Sequence, residues 1–196
     1  MLKNVSWAED RDYNTGSDDE PLQFYLDALC NSSRFDLLLG YFSSSAINVL
    51  SLGFANFIYK GGKMRAIINN VLSEDDKIAI EKGQDKENFS TIYNFNNIKE
   101  LESSLDQYGR HFFECFAWLI ANDKIEIKII KPKGRRGISH YKSGVFSDGE
   151  NLVGFNSTCN FSYYGFVENL EHLDCTLSWE DDRSFKKINK QNIDFE

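Results

Sequence analysis

A histidine and a lysine stand two residues apart in "ISHYKSGVFSDG", Ile138 to Gly149, within a chain of 196 residues that holds three histidines in all. In an extended strand, residues i and i+2 project from one face, so His140 and Lys142 would be offered together to whatever lies over it. A neutral imidazole is a nucleophile or a proton carrier, and an ammonium beside it supplies fixed positive charge to an anion. The pair suits attack on an anionic centre. By itself it is also what a surface histidine beside a charged loop looks like. Three downstream groups add weight, in this order: Asp148-Gly149, then Ser157-Thr158-Cys159-Asn160, then Asn169-Leu170-Glu171.

The charge around this stretch points the same way. Net charge is −8, which excludes a surface wrapped on every side by nucleic acid. From Lys124 to Lys142, however, the cations Lys124, Lys128, Lys131, Lys133, Arg135, Arg136 and Lys142 are opposed only by Glu126. A local basic surface on an acidic body fits phosphate binding at one place; a solvated charged loop is the plain alternative.

Other chemistries lack their motifs. There is no G-x-x-x-x-G-K-[ST], no G-x-G-x-x-G opening a helix and no G-x-S-x-G elbow. Cys30, Cys115, Cys159 and Cys175 are scattered without a Cys-x-x-Cys pair, and His172 with Cys175 is half a metal site without a second half. Reduced, structural thiols and no metal are expected. The longest apolar runs, "FDLLLGYF" and "FFECFAWLI", fall well short of the roughly 20 residues of a membrane helix. The start "MLKNVSWAEDRDYNTGSDDE" lacks the apolar core of a signal peptide. A cytoplasmic protein with no membrane partner is expected. Sixteen Phe and nine Tyr mark a folded chain.

The elements that must position His140 read as an alternation. "PLQFYLDALCNSS" carries Leu22, Tyr25, Leu26 and Leu29 at helical spacing behind Pro21, and "RFDLLLGYF" reads as a buried strand. "SSSAINVLSLGFANFIYKGG" predicts one helix with a serine cap and a Gly-Gly stop, then the strand "KMRAIINNV". "SEDDKIAIEKG" predicts a helix capped by Ser73, with Asp76 in the capping-box position. "ENFSTIYNFNN" reads as a loop. One long helix is predicted from about Ile98 to Ala121, its stripe including Leu101, Leu105, Tyr108, Phe112, Cys115, Phe116 and Leu119. "KIEIKII" alternates as a half-exposed strand, "KPKGRRG" turns, and "ISHYKSGVFSD" with "ENLVGFN" forms a hairpin at Asp148-Gly149. A last strand covers about "HLDCTLSW", and the charged tail is left unassigned. One α/β domain over residues 1–196 is expected, its core at about 20–180: a mixed sheet flanked by helices.

His140-x-Lys142, the downstream Ser-Thr-Cys-Asn and the later acidic residue, in that order, resemble the phospholipase D-like phosphodiesterase superfamily, whose signature is H-x-K, G-S-x-N and an acidic residue. "HYKSGVFSDGENLVGFNSTCNFSYYGFVENLEHL" looks most like the superfamily's nuclease branch, which includes metal-independent restriction endonucleases and nuclease domains fused to helicases. "SSRFDLLLGYFSSSAINVLSLGFANFIYKGGKMRAIIN" is similar to the start of such domains, so the likeness runs from about Leu22 to Trp179. The sequence departs from the pattern where Gly154 is displaced upstream by "FN", which makes Asn156 a competitor to Asn160. Glu168 competes with Glu171 for the acidic position, and the acidic residue after H-x-K is shifted by one, to Asp148.

The resemblance implies a phospholipase D-like fold and hydrolysis of a phosphodiester through a phosphohistidine, with no cofactor and no metal. His140 would attack phosphorus. Lys142 and Asn160 would take up charge on the non-bridging oxygens, and Glu171 would accept from the other ring nitrogen of a histidine and support its charged form. Ser157, Thr158, Lys133, Arg135 and Arg136 would lie on the substrate side. The family protonates the leaving oxygen with a histidine from a second H-x-K. Here the residue two past His111 is Phe113 and the residue two past His172 is Asp174, so the expectation is a homodimer in which two copies of His140 share one site. DNA or another nucleic acid is the expected substrate, with Tyr141, Tyr163 and Tyr164 available to stack on bases. The nuclease-branch likeness implies a role in restriction or defence, within or beside a helicase protein. A binding or dimerisation module without catalysis is the alternative.

Overall fold

In the computed structural model of the chain, residues 1–86, 97–107, 109–130 and 139–193 are described. They form one seven-stranded mixed sheet and eight α-helices. In chain order these are β1 (Asp12–Asn14), α1 (Pro21–Asn31), β2 (Arg34–Leu39), α2 (Ser45–Val49), α3 (Ser51–Tyr59), β3 (Lys63–Asn69), α4 (Glu74–Gln84), α5 (Ile98–Leu105), α6 (Arg110–Ala121), β4 (Ile125–Ile130), β5 (Lys142–Ser147), β6 (Leu152–Ser157), α7 (Tyr163–Val167), β7 (His172–Leu177) and α8 (Asp182–Ile193). The strand order is β1-β7-β6-β5-β2-β3-β4. β2, β3 and β4 run parallel, the other strand pairs are antiparallel, and an isolated parallel bridge joins Phe42 to Phe161. This is the mixed sheet flanked by helices that the sequence predicts.

Two-residue periodicity sorts the sheet into faces. Phe35, Met64, Ile125, Phe146, Val153 and Leu177 point to one side and are almost completely buried, under a helical layer that contributes Phe24, Tyr25, Phe54 and Phe116. Phe35 and Phe146 are direct cross-strand partners, and their rings stack at 4.0 Å and 8°. Such pairs are the unit of sheet stabilisation, and truncating either ring to alanine would cost about 3–5 kcal/mol. On the other face, α8 crosses β5, β6 and β7 and seats a fully buried Ile188 against Gly154.

Several elements differ from expectation. α1 buries Phe24, Tyr25, Ala28 and Leu29, while Leu22 and Leu26 only flank the core. The helix expected across Ser43–Gly62 is two, divided at Leu50, whose backbone leaves the helical region while its side chain is buried. The helix expected over Ile98–Ala121 is also two. Gly109 holds φ at +74°, where a β-carbon is penalised. The break releases carbonyls that Asn48 collects, its Nδ2 donating to Leu105 O at 2.7 Å and Gln107 O at 3.0 Å. β1, α7 and α8 add to the expected elements: β1 has three residues, α7 five, and α8 is polar around one buried isoleucine. The Ser73 cap is as expected, with Asp76 N donating to Ser73 Oγ at 3.1 Å. The Asp148-Gly149 hairpin is also present, but its connection spans Asp148–Asn151. Tyr108, the loop residues 87–96 and the basic turn at 131–137 lie outside the described residues.

Candidate active site

β2 and β5 are antiparallel, so the carboxyl end of β2 meets the start of β5. Leu39 pairs with Lys142, and one further bond, Gly40 N to Tyr141 O at 2.6 Å, extends the alignment past the ladder. β5 therefore begins at Lys142 rather than at Ile138, and His140 and Tyr141 lie just outside it. The chain crosses so close over Gly40 that a β-carbon there would collide with Ser139 O. His140 is exposed at this edge. Lys142, half-buried, is in register with Gly144 and Phe146 on the helix-covered face, at its open end.

The second contributor is the turn after β6. Ser157 donates its hydroxyl to His172 O at 2.7 Å and accepts from Cys159 N at 2.8 Å. Thr158 accepts from His172 N at 2.9 Å and donates to Glu171 Oε2 at 2.5 Å. Asn169 Nδ2 donates to the other carboxylate oxygen at 3.0 Å, and Thr15 Oγ1 accepts from Glu171 N at 3.0 Å. Asn160 comes next in this held turn, its carbonyl accepting from Ser162 N at 2.8 Å. A β-carbon at Gly165 would strike Asn160 O, so "YYG" is needed for α7 to close back on the asparagine.

Electrostatics tie the pieces together. Burial pushes the Cys159 thiol up to about 12; the Glu171 carboxylate pushes it the same way, while the Lys142 ammonium pulls it down. One buried sulfur is thus within electrostatic reach of both the Lys142 and the Glu171 charge. Two oxygens of Glu171 offer about four acceptor sites, and the described bonds to Thr158 and Asn169 use two of them.

The competing residues separate by face. Asn156 pairs with Ser143 on one side and Asp174 on the other, so it projects from the sheet face opposite to Lys142. Glu168 is exposed at the end of α7, 3.5 Å from Tyr163 Oη. His172 opens β7 in register with Asn14, on the Asn156 side. Its Nε2 lies 2.6 Å from Asp12 Oδ1. That is an ion-pair distance, although no aligned hydrogen bond accompanies it. His111 sits in the first turn of α6. His172 thus stands at the same end of the sheet as His140 but on the face away from Lys142, and among the described residues no group of three His, Cys, Asp or Glu side chains could hold a metal ion. Lys133, Arg135 and Arg136 lie outside the described residues. No described helix is long and apolar enough to cross a membrane.

No family model matches the sequence, and no curated protein does. Solved structures do match. NucT from Helicobacter pylori superposes with a TM-score of 0.51 at 14% identity, over 94% of this chain and 92% of that one. Nuc from Salmonella typhimurium, a phospholipase D family member, superposes with a TM-score of 0.52 at 11% identity, over 94% and 91%. At such identities the likeness is one of fold.

Proposed function

On the phospholipase D-like fold that this chain adopts, we propose that it is a metal-independent nucleic-acid phosphodiesterase whose site is completed by a second copy of itself. One observation supports the reading: the end of β2 touches both pieces, Gly40 against Ser139 and His140 and Phe42 bridged to Phe161 beside Asn160, while His172 at the same end of the sheet turns to the other face and His111 lies on α6.

The imidazole of His140 forms a bond to phosphorus as the bond from phosphorus to the leaving oxygen breaks. That oxygen takes its electron pair and a proton from the imidazolium of the second copy's His140. Water then gives a proton back to that imidazole, its oxygen bonds to phosphorus, and the N–P bond returns its pair to the first His140. Splitting hydrolysis in this way replaces one hard displacement by two easier ones. Lys142 and the Asn160 amide face the non-bridging oxygens, where charge builds up. Glu171, fixed by Thr158 and Asn169, keeps open acceptor positions for an imidazole N–H. Ser157 and Thr158 shape the turn on the substrate side, and Lys133, Arg135 and Arg136 add phosphate contacts.

The rim of this end supports a partner copy. Tyr141, Tyr164, Val167 and Leu170 are 60%, 68%, 47% and 89% exposed, and they lie close in sequence to site residues. Exposed apolar side chains beside the site residues are candidates for contact with that copy.

The test is cleavage of labelled single- and double-stranded DNA in EDTA by wild type and His140→Ala. Cleavage by the wild type alone, with binding retained by the variant, is expected. Binding without cleavage by either protein would select a non-catalytic nucleic-acid module instead.

A further inference from the structure

Beside the proposed phosphate site lies a second cavity, of about 190 Å³, between α2, α4, α6 and α7. It shares its walls with the loops that carry the site. Ser43, on its lip, lies three residues past Gly40 and donates its N–H to Phe161 O at 2.9 Å. Tyr163, on the other lip, lies three residues past Asn160 and donates its N–H to Ser45 Oγ at 2.9 Å.

One wall is aromatic. Phe112 and Phe113 meet edge to face with centroids 5.4 Å apart, and Tyr163 adds a third ring. The lining also carries Asp76, 1% exposed, whose carboxylate accepts from Ser44 N at 3.2 Å and Ser73 Oγ at 2.8 Å. Both donors are neutral, and a carboxylate has about four acceptor positions. Asn48, also lining the cavity, gives its amide hydrogens to Leu105 O and Gln107 O, which turns its Oδ1 into an acceptor. Asp76 is the one charged side chain on a lining otherwise made of neutral serine, amide and aromatic groups, so charge favours a ligand that donates to it. A fitting occupant donates a hydrogen bond, packs on aromatic rings and is small, since cavities for whole drug-sized ligands start at about 300 Å³.

We propose that this cavity is a base subsite, taking an amino-bearing nucleobase (adenine, cytosine or guanine) in preference to thymine or uracil. The inference deepens the phosphodiesterase reading and rests on it for the neighbouring phosphate. The exocyclic amino group points at Asp76, and the base lies on Phe113 and meets Phe112 at an angle. A base inside a duplex has its amino group already committed to its partner, so the nucleotide must be unpaired to enter. The substrate class is single-stranded or locally opened nucleic acid with an amino-bearing base next to the scissile phosphate.

Adenosine and thymidine, which lack phosphate and so bypass His140, are titrated into the wild-type chain in EDTA while backbone amide NMR shifts are recorded. Adenosine is expected to move Ser44, Ser45, Asn48 and Tyr163 and to bind at least about tenfold more tightly than thymidine. Asp76→Asn should bring that ratio below about threefold. Because Asp76 also helps cap α4, Phe113→Ala serves as a second variant, expected to weaken adenosine by about tenfold. Equal affinities for the two nucleosides, no saturable binding, or shifts confined to another surface would overturn the proposal. The readouts also separate it from the reading beneath it: adenosine binding with no His140-dependent DNA cleavage keeps the subsite and removes the nuclease. Cleavage with no discrimination between adenosine and thymidine does the reverse.

Discussion

The Thr158 hydroxyl donates to the Glu171 carboxylate at 2.5 Å and at the same time accepts from the backbone N–H of His172 at 2.9 Å. One side chain thus fastens the turn before Asn160 to the segment that carries the acidic residue. Thr158→Val keeps the shape and removes both bonds. Since Thr158 is exposed, the stability loss is expected to be about 1 kcal/mol, or about 2–4 °C in Tm for a chain of this size. The cleavage rate should fall by about tenfold or more, because Asn160 and Glu171 lose their fixed separation. A rate unchanged alongside the small Tm loss would detach Thr158 from the site.

Lys142→Met removes the ammonium and keeps the aliphatic stem. The expected loss in kcat is about 10²–10³, the usual cost of one preorganised group at a developing charge, with Tm shifted by no more than about 2 °C. Single-turnover cleavage of an end-labelled oligonucleotide, beside a melting curve, checks both. Retained kcat with a raised KM would instead make Lys142 a ground-state binding residue.

His172 provides the opposite expectation. Its ring pairs with Asp12 on the sheet face away from Lys142, so His172→Gln should cleave within about threefold of wild type, where His140→Ala does not cleave measurably. Loss of cleavage in His172→Gln would make it the second histidine and dissolve the need for a partner copy.

Alkaline pH should destabilise the fold. Burial pushes the thiols of Cys115, Cys159 and Cys175 from their ordinary 9.0 to about 12, and it pushes the Tyr13 phenol well above its ordinary range. The folded state holds these protons more tightly than the unfolded one, so their contribution is complete below about pH 9 and is lost as pH rises towards 12. Tm is expected to fall steadily over that window. The same burial leaves Cys30, half-buried, as the thiol that reacts first with an aromatic disulfide in the folded chain. Four equal rates would contradict the burial pattern.

How much of this is legible in the sequence depends on whether a residue's role is local. His140 and Lys142 are visible as neighbours, and Asn160 and Glu171 come from the order of the family pattern. The choice between Asn156 and Asn160 needs strand register, which puts Asn156 in line with Ser143 and Asp174, away from Lys142. The two broken helices are hidden for a related reason. Apolar period runs through Leu50 and through the Leu105–Phe112 junction, and only Gly109 signals a stop. α8 has a single fully buried residue, Ile188, too little to reveal a helix among so many charges. The cavity lined by Asp76, Phe113 and Tyr163 is the least legible, because its walls come from four helices brought together by the sheet.

Subunit mixing tests the shared site most directly. Wild type and His140→Ala are unfolded together in equal amounts, refolded and assayed at fixed total protein on single-stranded DNA in EDTA. If each site needs His140 from both copies, only the dimers with two wild-type chains cleave, and the rate should be about one quarter of the all-wild-type rate. A rate of about one half would mean that each chain carries a complete site, and the shared-histidine mechanism would be contradicted.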